Sequence, residues 1–246
     1  MNATTSGQVC WFEFVTPDAS AVEKFYGRLL GWTFEPRPHT DDLLIFAPAA
    51  TSPMGAIVGN RTGGEYLRIA IASADVDDDI ARLSRLGATI VSTPTAGTAE
   101  LADPRGNLFT LVPVPDGAAP GGFSPARGSM AWFEIGSAAP DAATDFYTEA
   151  FGWRFEFDAN AGGRQYYNIF TGLQWPSGGM YDLRPDGPEY LIPSFLVGDV
   201  PALTETAERY GAVVEFGPDG TPDGLKYVRL IDPSGNRFEL FSNPGM

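Results

Sequence analysis

The stretch Cys10-Trp11-Phe12-Glu13-Phe14 returns later in the chain as Ala131-Trp132-Phe133-Glu134-Ile135. The two copies of this stretch are separated by 121 residues (132 − 11). The same separation relates Phe25-Tyr26 to Phe146-Tyr147 and Gly31-Trp32 to Gly152-Trp153. Several matched segments that keep their order indicate a duplicated domain.

The matches continue downstream at slightly larger separations. Glu65-Tyr66-Leu67 matches Glu189-Tyr190-Leu191 at 124 residues (189 − 65), and Asp103-Pro104-x-Gly106-Asn107 matches Asp232-Pro233-x-Gly235-Asn236 at 129 (232 − 103). The small growth of the separation indicates short loop insertions in the second copy. A segment rich in Pro, Gly and Ala between the copies is typical of a linker. The sequence therefore predicts domain 1 at 1–112, a linker at 113–128 and domain 2 at 129–246.

Each copy repeats one order of secondary structure twice. The β-branched and aromatic residues of 9–15 predict a strand, and Thr16-Pro17 then predicts a helix N-cap followed by Pro at the first helical position. Apolar residues at helical spacing continue to Gly31, which ends the helix. Short strands follow, and a second cycle begins near Tyr66 with a helix predicted at 76–86. The pattern predicts an α+β fold with two βαβββ units in each copy.

Composition limits the function classes. The net charge of −15 argues against nucleic acid and anionic membrane surfaces as partners, because both attract clustered Lys and Arg. The single cysteine, Cys10, allows neither an internal disulfide nor a cysteine-based zinc site. The start of the chain lacks a basic segment followed by an apolar one, so we expect no signal peptide and a cytoplasmic protein.

The order of these motifs resembles the vicinal oxygen chelate superfamily. That group includes glyoxalase I, bleomycin-resistance proteins, fosfomycin-resistance enzymes and extradiol dioxygenases. The resemblance covers both copies almost end to end and extends to tandem, two-domain actinobacterial proteins labelled glyoxalase-like or hydroxylase. It implies paired βαβββ units whose curved mixed sheet surrounds a cavity, with the helices outside.

The resemblance also implies three positions where metal-using members hold a divalent ion, normally with two His and one Glu. Copy 1 has Trp11, Arg68 and Thr110 at these positions, and copy 2 has Trp132, Ile192 and Glu239. One carboxylate without imidazole or thiolate partners does not hold a transition metal tightly. The chain's single histidine, His39, lies in a polar stretch and is expected to be a solvated surface residue. We therefore predict no metal, and no phosphate-loop or dinucleotide motif indicates another cofactor.

Strand alternation predicts which side chains face the cavity. If the metal-ligand positions face inward, Trp11 and Glu13 line the cavity of copy 1, while Phe12 and Phe14 pack under the helix. The same alternation places Trp132, Glu134, Arg237 and Glu239 on the cavity face of copy 2 and Phe238 on the helix side. Copy 2 also contains more polar aromatic residues, which are pocket candidates: Tyr166, Tyr167, Trp175, Tyr181 and Tyr227.

These residues allow more than one interpretation. The tryptophans either stack a planar ligand or plug the cavity, and Glu13 and Glu134 either act on a ligand or form structural ion pairs with Arg68 or Arg237. Glu239 with Glu134 is the stronger catalytic prediction, because two carboxylates in a desolvated pocket give one acid and one base. Glu13 near Arg68 is expected to remain ionised and inert. The predicted ligand-binding residues are Trp11, Glu13, Arg68, Trp132, Arg237 and Tyr227.

Three functions remain open at the level of sequence. The first is a tailoring enzyme that uses carboxylate acid–base chemistry in copy 2, such as isomerisation, dehydration or cyclisation of a small aromatic or polyketide-like molecule. The second is a protein that sequesters such a molecule, for example an antibiotic, without turnover. The third is a degenerate, structural or regulatory duplicate. We expect a small-molecule ligand as the partner, and a chain that can be monomeric because its halves replace a homodimer.

Overall fold

The computed structural model describes residues 5–59, 65–92, 97–114, 126–159, 161 and 165–244. The elements of the first half are β1 (Val9–Thr16), α1 (Ala19–Leu30), β2 (Thr33–Pro36), β3 (Leu43–Phe46), β4 (Gly55–Gly59), β5 (Tyr66–Ser73), α2 (Val76–Arg85), β6 (Thr89–Ile90), β7 (Ala99–Ala102) and β8 (Leu108–Pro113). The elements of the second half are β9 (Met130–Ser137), α3 (Pro140–Phe151), β10 (Arg154–Phe157), β11 (Tyr166–Phe170), β12 (Gly178–Asp182), β13 (Tyr190–Leu196), α4 (Val200–Arg209), β14 (Val213–Gly220), β15 (Lys226–Ile231) and β16 (Arg237–Ser242).

Each half forms one mixed, curved sheet of eight strands. The first sheet has the order β2-β3-β4-β1-β5-β8-β7-β6, and the second repeats it as β10-β11-β12-β9-β13-β16-β15-β14. The first and last strands of each βαβββ module pair in parallel, as β1 pairs with β4 and β13 with β16. The other strands within a module pair antiparallel, as hairpin connections require. The predicted α+β fold of two tandem domains is confirmed.

The four modules, numbered one to four in chain order, pack as two compact units. Among the described residues, the 1–4 unit contains those within 12–68, 126–132 and 192–244, and the 2–3 unit contains those within 5–11, 69–114 and 133–191. Apart from the first residues of β1, β5, β9 and β13, the 1–4 unit joins modules one and four, and the 2–3 unit joins modules two and three. Each compact unit therefore takes one module from each half of the sequence.

Aromatic side chains form the core of the 1–4 unit, on the helix side of the strands of modules one and four. Tyr26 of α1 stacks on Trp32 with ring centroids 4.8 Å apart, and Phe12 of β1 contacts Phe195 of β13 at 5.2 Å. Phe238 of β16 contacts Tyr26 at 5.3 Å. The predicted helix-side placement of Phe14 and Phe238 agrees with their ring contacts to Tyr26 of α1.

The repeated Asp-Pro-x-Gly-Asn motif forms a turn that binds a helix of the partner module. In the 1–4 unit, the Tyr26 hydroxyl donates to Asp232 Oδ2 at 3.1 Å. In the 2–3 unit, the Tyr147 hydroxyl donates to Asp103 Oδ2 at 2.8 Å. Asn236 and Asn107 donate to the same aspartates at 2.9 Å. The motif and the Phe-Tyr pair therefore recur together because the Tyr hydroxyl and the Asp of the motif form one buried hydrogen bond in each unit.

Two predictions about local structure are corrected. Asp18, not Thr16, caps α1, because its carboxylate accepts from the backbone N–H groups of Ser20 and Ala21. Thr16 instead donates its hydroxyl to Glu65 and accepts from the Asp18 backbone. Strand β8 extends through Pro113, so the first linker residue belongs to a strand. Most of the predicted linker, 115–125, lies outside the described residues.

No helix in the described part of the chain is long and apolar enough to cross a membrane.

Candidate active site

Glu239 on β16 is the carboxyl group of the 1–4 unit whose pKa is shifted most. It is only 3% exposed, and strand alternation directs it to the sheet face opposite Phe238 and Leu240. In the sheet register it lies between Ser194 of β13 and Arg229 of β15. The Ser194 hydroxyl donates to Glu239 Oε1 at 3.3 Å. Glu239 Oε2 is buried and has no hydrogen-bond partner among the described residues.

The environment of Glu239 raises the pKa of its carboxyl from the ordinary 4.5 to about 7. Burial is the largest cause, since it penalises the charged form. The positive charge of Arg229 and the hydrogen bond from Ser194 oppose this effect by favouring the carboxylate. Desolvation is thus the main cause of the raised pKa. A carboxyl with a pKa near 7 can both release and accept a proton at neutral pH.

Glu134 on β9 belongs to the 2–3 unit, where a tyrosine holds it. The Tyr166 hydroxyl donates to Glu134 Oε1 at 2.6 Å, and Glu134 itself is buried. The contact is part of module three, in which Glu134 lies opposite Gly179 in the register of β9 and β12. Glu134 and Glu239 belong to different compact units, so their action as an acid–base pair stays a prediction.

Glu13 on β1 forms an ion pair with Arg68 on β5. Arg68 donates from Nε at 2.9 Å and from Nη2 at 2.8 Å to Glu13 Oε2, and both side chains are buried. Two hydrogen bonds from one guanidinium to a carboxylate fix both groups strongly. The structural interpretation of Glu13 and Arg68 is therefore the one that the geometry favours.

The other predicted ligand-binding residues differ in their exposure. Trp11 and Trp132 are half-buried. Arg237 donates to both carboxylate oxygens of Glu215, at 2.7 and 2.6 Å. Tyr227 is buried, and its ring stacks on Phe216 with centroids 6.1 Å apart. Arg237 and Tyr227 thus contribute to the structure of module four.

Sequence reasoning did not find the roles of Ser194, Arg229 and Gly179. The register of paired strands brings these residues beside Glu239 or Glu134, and a single sequence does not define that register. The buried strand β13 carries a Ser among apolar residues, and that was the one available signal for Ser194.

The side chains at the family's metal-ligand positions do not fit a divalent transition metal. Trp11, Trp132 and Ile192 offer no donor atoms suited to such an ion, and the Arg68 guanidinium is cationic. Within the described ranges, no three His, Cys, Asp or Glu side chains converge. His39 is exposed in a turn, with a φ of 66°.

Comparisons with known proteins agree with the fold. Residues 11–112 match the model of a glyoxalase-like domain, and residues 129–240 match that of the glyoxalase/bleomycin resistance protein/dioxygenase superfamily. Similar solved structures include the 2,3-dioxygenase LapB from Pseudomonas sp. KL28, with a TM-score of 0.64, 17% identity, and coverage of 98% of this chain and 94% of that one. The Mn(II)-bound glyoxalase from Novosphingobium aromaticivorans has a TM-score of 0.63 at 18% identity, covering 96% and 82%.

Two curated relatives are similar over nearly their whole length. DnrV of Streptomyces peucetius, named an anthracycline biosynthesis protein, is 28% identical over 98% of this chain and 94% of its own. CFP32 of Mycobacterium tuberculosis, which carries a provisional glyoxylase name, is 26% identical over 94% and 92%. The two family models together span nearly the whole sequence, and the repeated modules and sheet order agree with them. The chain therefore belongs to the glyoxalase/bleomycin resistance protein/dioxygenase superfamily, the vicinal oxygen chelate group, as a tandem two-domain member.

Proposed function

We propose that this chain is a metal-independent, glyoxalase-like enzyme that transfers protons on a small aromatic or polyketide-like molecule, with Glu239 as the acid–base group. The observation that carries the proposal is the open Oε2 atom of Glu239, a buried carboxyl oxygen without a hydrogen-bond partner among the described residues. Buried polar atoms in folded proteins are nearly always satisfied. A ligand O–H group beside Oε2 would supply the missing hydrogen bond.

The chemistry needs no oxidant and no metal. The Glu239 carboxylate takes a proton from an acidic C–H or O–H bond of the ligand, whose bonding electrons remain on the ligand as an enolate or phenolate. The neutral carboxyl then returns the proton to another carbon or oxygen, and the carboxylate is restored. A pKa near 7 gives comparable amounts of both forms at neutral pH, which suits this cycle. Isomerisation, dehydration and cyclisation all fit this scheme.

Two further observations support the proposal. The donor set at the family's metal positions does not fit a transition metal, so chemistry that requires such an ion has no matching ligands here. The similarity to DnrV extends along both chains, and that relative is named for anthracycline biosynthesis, which concerns aromatic polyketides. The name of that relative supports the ligand class predicted from the sequence.

Copy 1 has no carboxyl group at the position equivalent to Glu239, although the buried Glu100 of β7 lies beside that position in the sheet register. Thr110 lies at the position that corresponds to Glu239, and Ala70 pairs with Thr110 where Ser194 pairs with Glu239. The buried Glu13 of copy 1 is already held by Arg68. We therefore expect activity to depend on module four.

Turnover measurements test the proposal. The purified chain is incubated with an excess of hydroxylated anthraquinone or anthrone substrates, and product formation is followed by absorbance and mass spectrometry. We expect consumption of the excess by the natural chain, strong loss in Glu239→Gln and little change in Thr110→Val. Saturable binding without any consumption would support the sequestering alternative instead. Unchanged turnover in Glu239→Gln, together with its loss in Trp11→Ala, would place the working cavity in copy 1.

A further inference from the structure

Module three contains a tyrosine–carboxylate pair that has no counterpart in module one. The Tyr166 hydroxyl donates to Glu134 Oε1 at 2.6 Å. Glu134 is buried, and the Tyr166 side chain is half-buried. The Tyr181 ring meets the Tyr166 ring edge-on at 4.7 Å and forms an aromatic wall beside it.

Gly179 makes this pair sterically feasible. It lies directly opposite Glu134 on the paired strand β12. A Cβ atom added at Gly179 would overlap the Tyr166 hydroxyl. The φ angle at Gly179 is not in the left-handed region, so the glycine is needed for space and not for backbone conformation. The tyrosine ring therefore reaches Glu134 across a strand that lacks a side chain at the crossing point.

Module one shows what the same sheet position looks like without the pair. Ala56 lies opposite Glu13 there, as Gly179 lies opposite Glu134. Ile45 pairs with Gly55 in module one, and Ile169 pairs with Gly178 in module three, so Ile45 and Ile169 are equivalent positions. Three residues earlier in each strand, Tyr166 is therefore equivalent to Asp42 (169 − 3 and 45 − 3). Module one thus has an alanine in place of the glycine and no aromatic residue in place of the tyrosine. Its Glu13 binds Arg68 instead.

A phenol bound in this way has a defined hydrogen-bonding polarity. Its single proton points to Glu134, and its oxygen carries lone pairs that accept hydrogen bonds. Donation to Glu134 increases the electron density on that oxygen, because hydrogen bonds in a chain polarise one another. Such an oxygen favours a ligand hydroxyl, which can donate, over a carbonyl or an ether, which cannot.

We propose that Tyr166 is a specificity-determining residue that accepts a hydrogen bond from a hydroxyl group on a planar aromatic ligand, with Glu134 as its positioning residue. Gly179 is the structural requirement for this arrangement. The inference shares with the proposed function only the assumption that the ligand is aromatic. It does not involve Glu239, which belongs to the other compact unit.

Paired probes that differ in one hydroxyl group test the proposal. Binding of 2-hydroxyanthraquinone and of anthraquinone is measured at pH 6 by quenching of tryptophan fluorescence. We expect the natural chain to prefer the hydroxylated probe about three- to tenfold, the range of one net hydrogen bond. Tyr166→Phe should abolish this preference. Gly179→Ala should reduce it while both partners of the pair remain in the chain. Tyr210→Phe removes an exposed phenol on the end of α4 and should preserve the preference.

The outcomes separate this inference from the proposed function. A hydroxyl preference that survives in Tyr166→Phe, or its absence in the natural chain, overturns the role of Tyr166 and leaves Glu239 chemistry intact. Failure of both probes to bind the natural chain contradicts the aromatic ligand class, and with it both proposals. Glu239→Gln should keep the hydroxyl preference even where it abolishes turnover. If Gly179→Ala does not fold, Tyr166→Phe alone decides.

Discussion

At the scale of single residues, three buried glutamates on the sheets differ in the groups that bind them. Glu13 binds a guanidinium, Glu134 accepts from a phenol, and Glu239 accepts from a serine hydroxyl while burial raises its pKa to about 7. The first arrangement stabilises a charge. The environment of Glu239 instead allows both the neutral and the ionised carboxyl near pH 7. Such a shifted pKa is found at functional sites more often than at structural ones.

The raised pKa of Glu239 predicts a specific dependence of stability on pH. Between pH 4.5 and about 7 the folded chain keeps this proton, while the unfolded chain releases it. The unfolded state then binds fewer protons, so the free energy of unfolding falls as pH rises through this window, by about 3 kcal/mol from this residue. Glu239→Gln should remove that fall. Urea unfolding at pH 4.5 and pH 8 measures it.

The variant should gain stability relative to the natural chain as pH rises. Glu205→Gln, at an exposed position of α4, is the matched control and should show no such gain. A constant difference between Glu239→Gln and the natural chain across this pH range would show that Glu239 titrates normally.

At the scale of elements, the Asp-Pro-x-Gly-Asn turns act as acceptors for buried tyrosines. Burial, followed by the nearby Asp232 charge, raises the pKa of the Tyr26 hydroxyl well above its usual range, so it stays a neutral donor. Asp103 has the same effect on Tyr147, again after burial. Each turn thereby fixes the helix of one module to the last strands of another.

Removing one of these hydroxyls should destabilise the chain. Tyr26→Phe and Tyr147→Phe each remove a buried hydrogen bond to a carboxyl group, which is worth about 1–3 kcal/mol. The loss is limited because Asn236 and Asn107 still donate to the aspartates. Thermal and urea unfolding measure the effect, with Tyr210→Phe expected to stay within about 0.5 kcal/mol of the natural chain. Unchanged stability in both variants would show that these contacts are not stabilising.

Sequence alone predicted most helices and strands, but only some of the side-chain contacts between them. The Glu13–Arg68 pair could be predicted because the family resemblance puts Arg68 at a cavity-facing position and strand alternation puts Glu13 on the cavity face too. The contact of Tyr26 with Asp232 could not, because it joins residues 206 positions apart through the packing of two modules. The Tyr166–Glu134 pair depends on the register of β11, β12 and β9. The predicted N-cap of α1 was wrong because Thr16 and Asp18 are both suitable N-cap residues. The Thr16 hydroxyl binds Glu65 instead, and Asp18 caps the helix.

At the scale of the whole molecule, the halves of the sequence do not coincide with the compact units. Each unit draws on both halves, so neither half contains a complete unit. An isolated half would expose the apolar surface that its partner module covers, including Phe195 and Phe238 of the second half. Duplication within one chain therefore supplies each module with its packing partner.

Fragment complementation tests this organisation. Residues 1–114 and 126–246, expressed separately, should aggregate or remain unfolded, because each lacks the packing partner of both its modules. Co-expression should recover a one-to-one complex with native circular dichroism. A monomeric, cooperatively folded half would contradict the account.

The most direct test of the central claim is the titration of Glu239 itself. The carboxyl carbons of glutamate are labelled with ¹³C, and their chemical shifts are followed by NMR from pH 4 to 9, with Glu239→Gln used to assign the resonance. We predict a midpoint near 7 for Glu239 and a higher midpoint in Ser194→Ala, because the serine hydrogen bond favours the carboxylate. A midpoint near the ordinary 4.5 would contradict the assignment of Glu239 as the acid–base group of this protein.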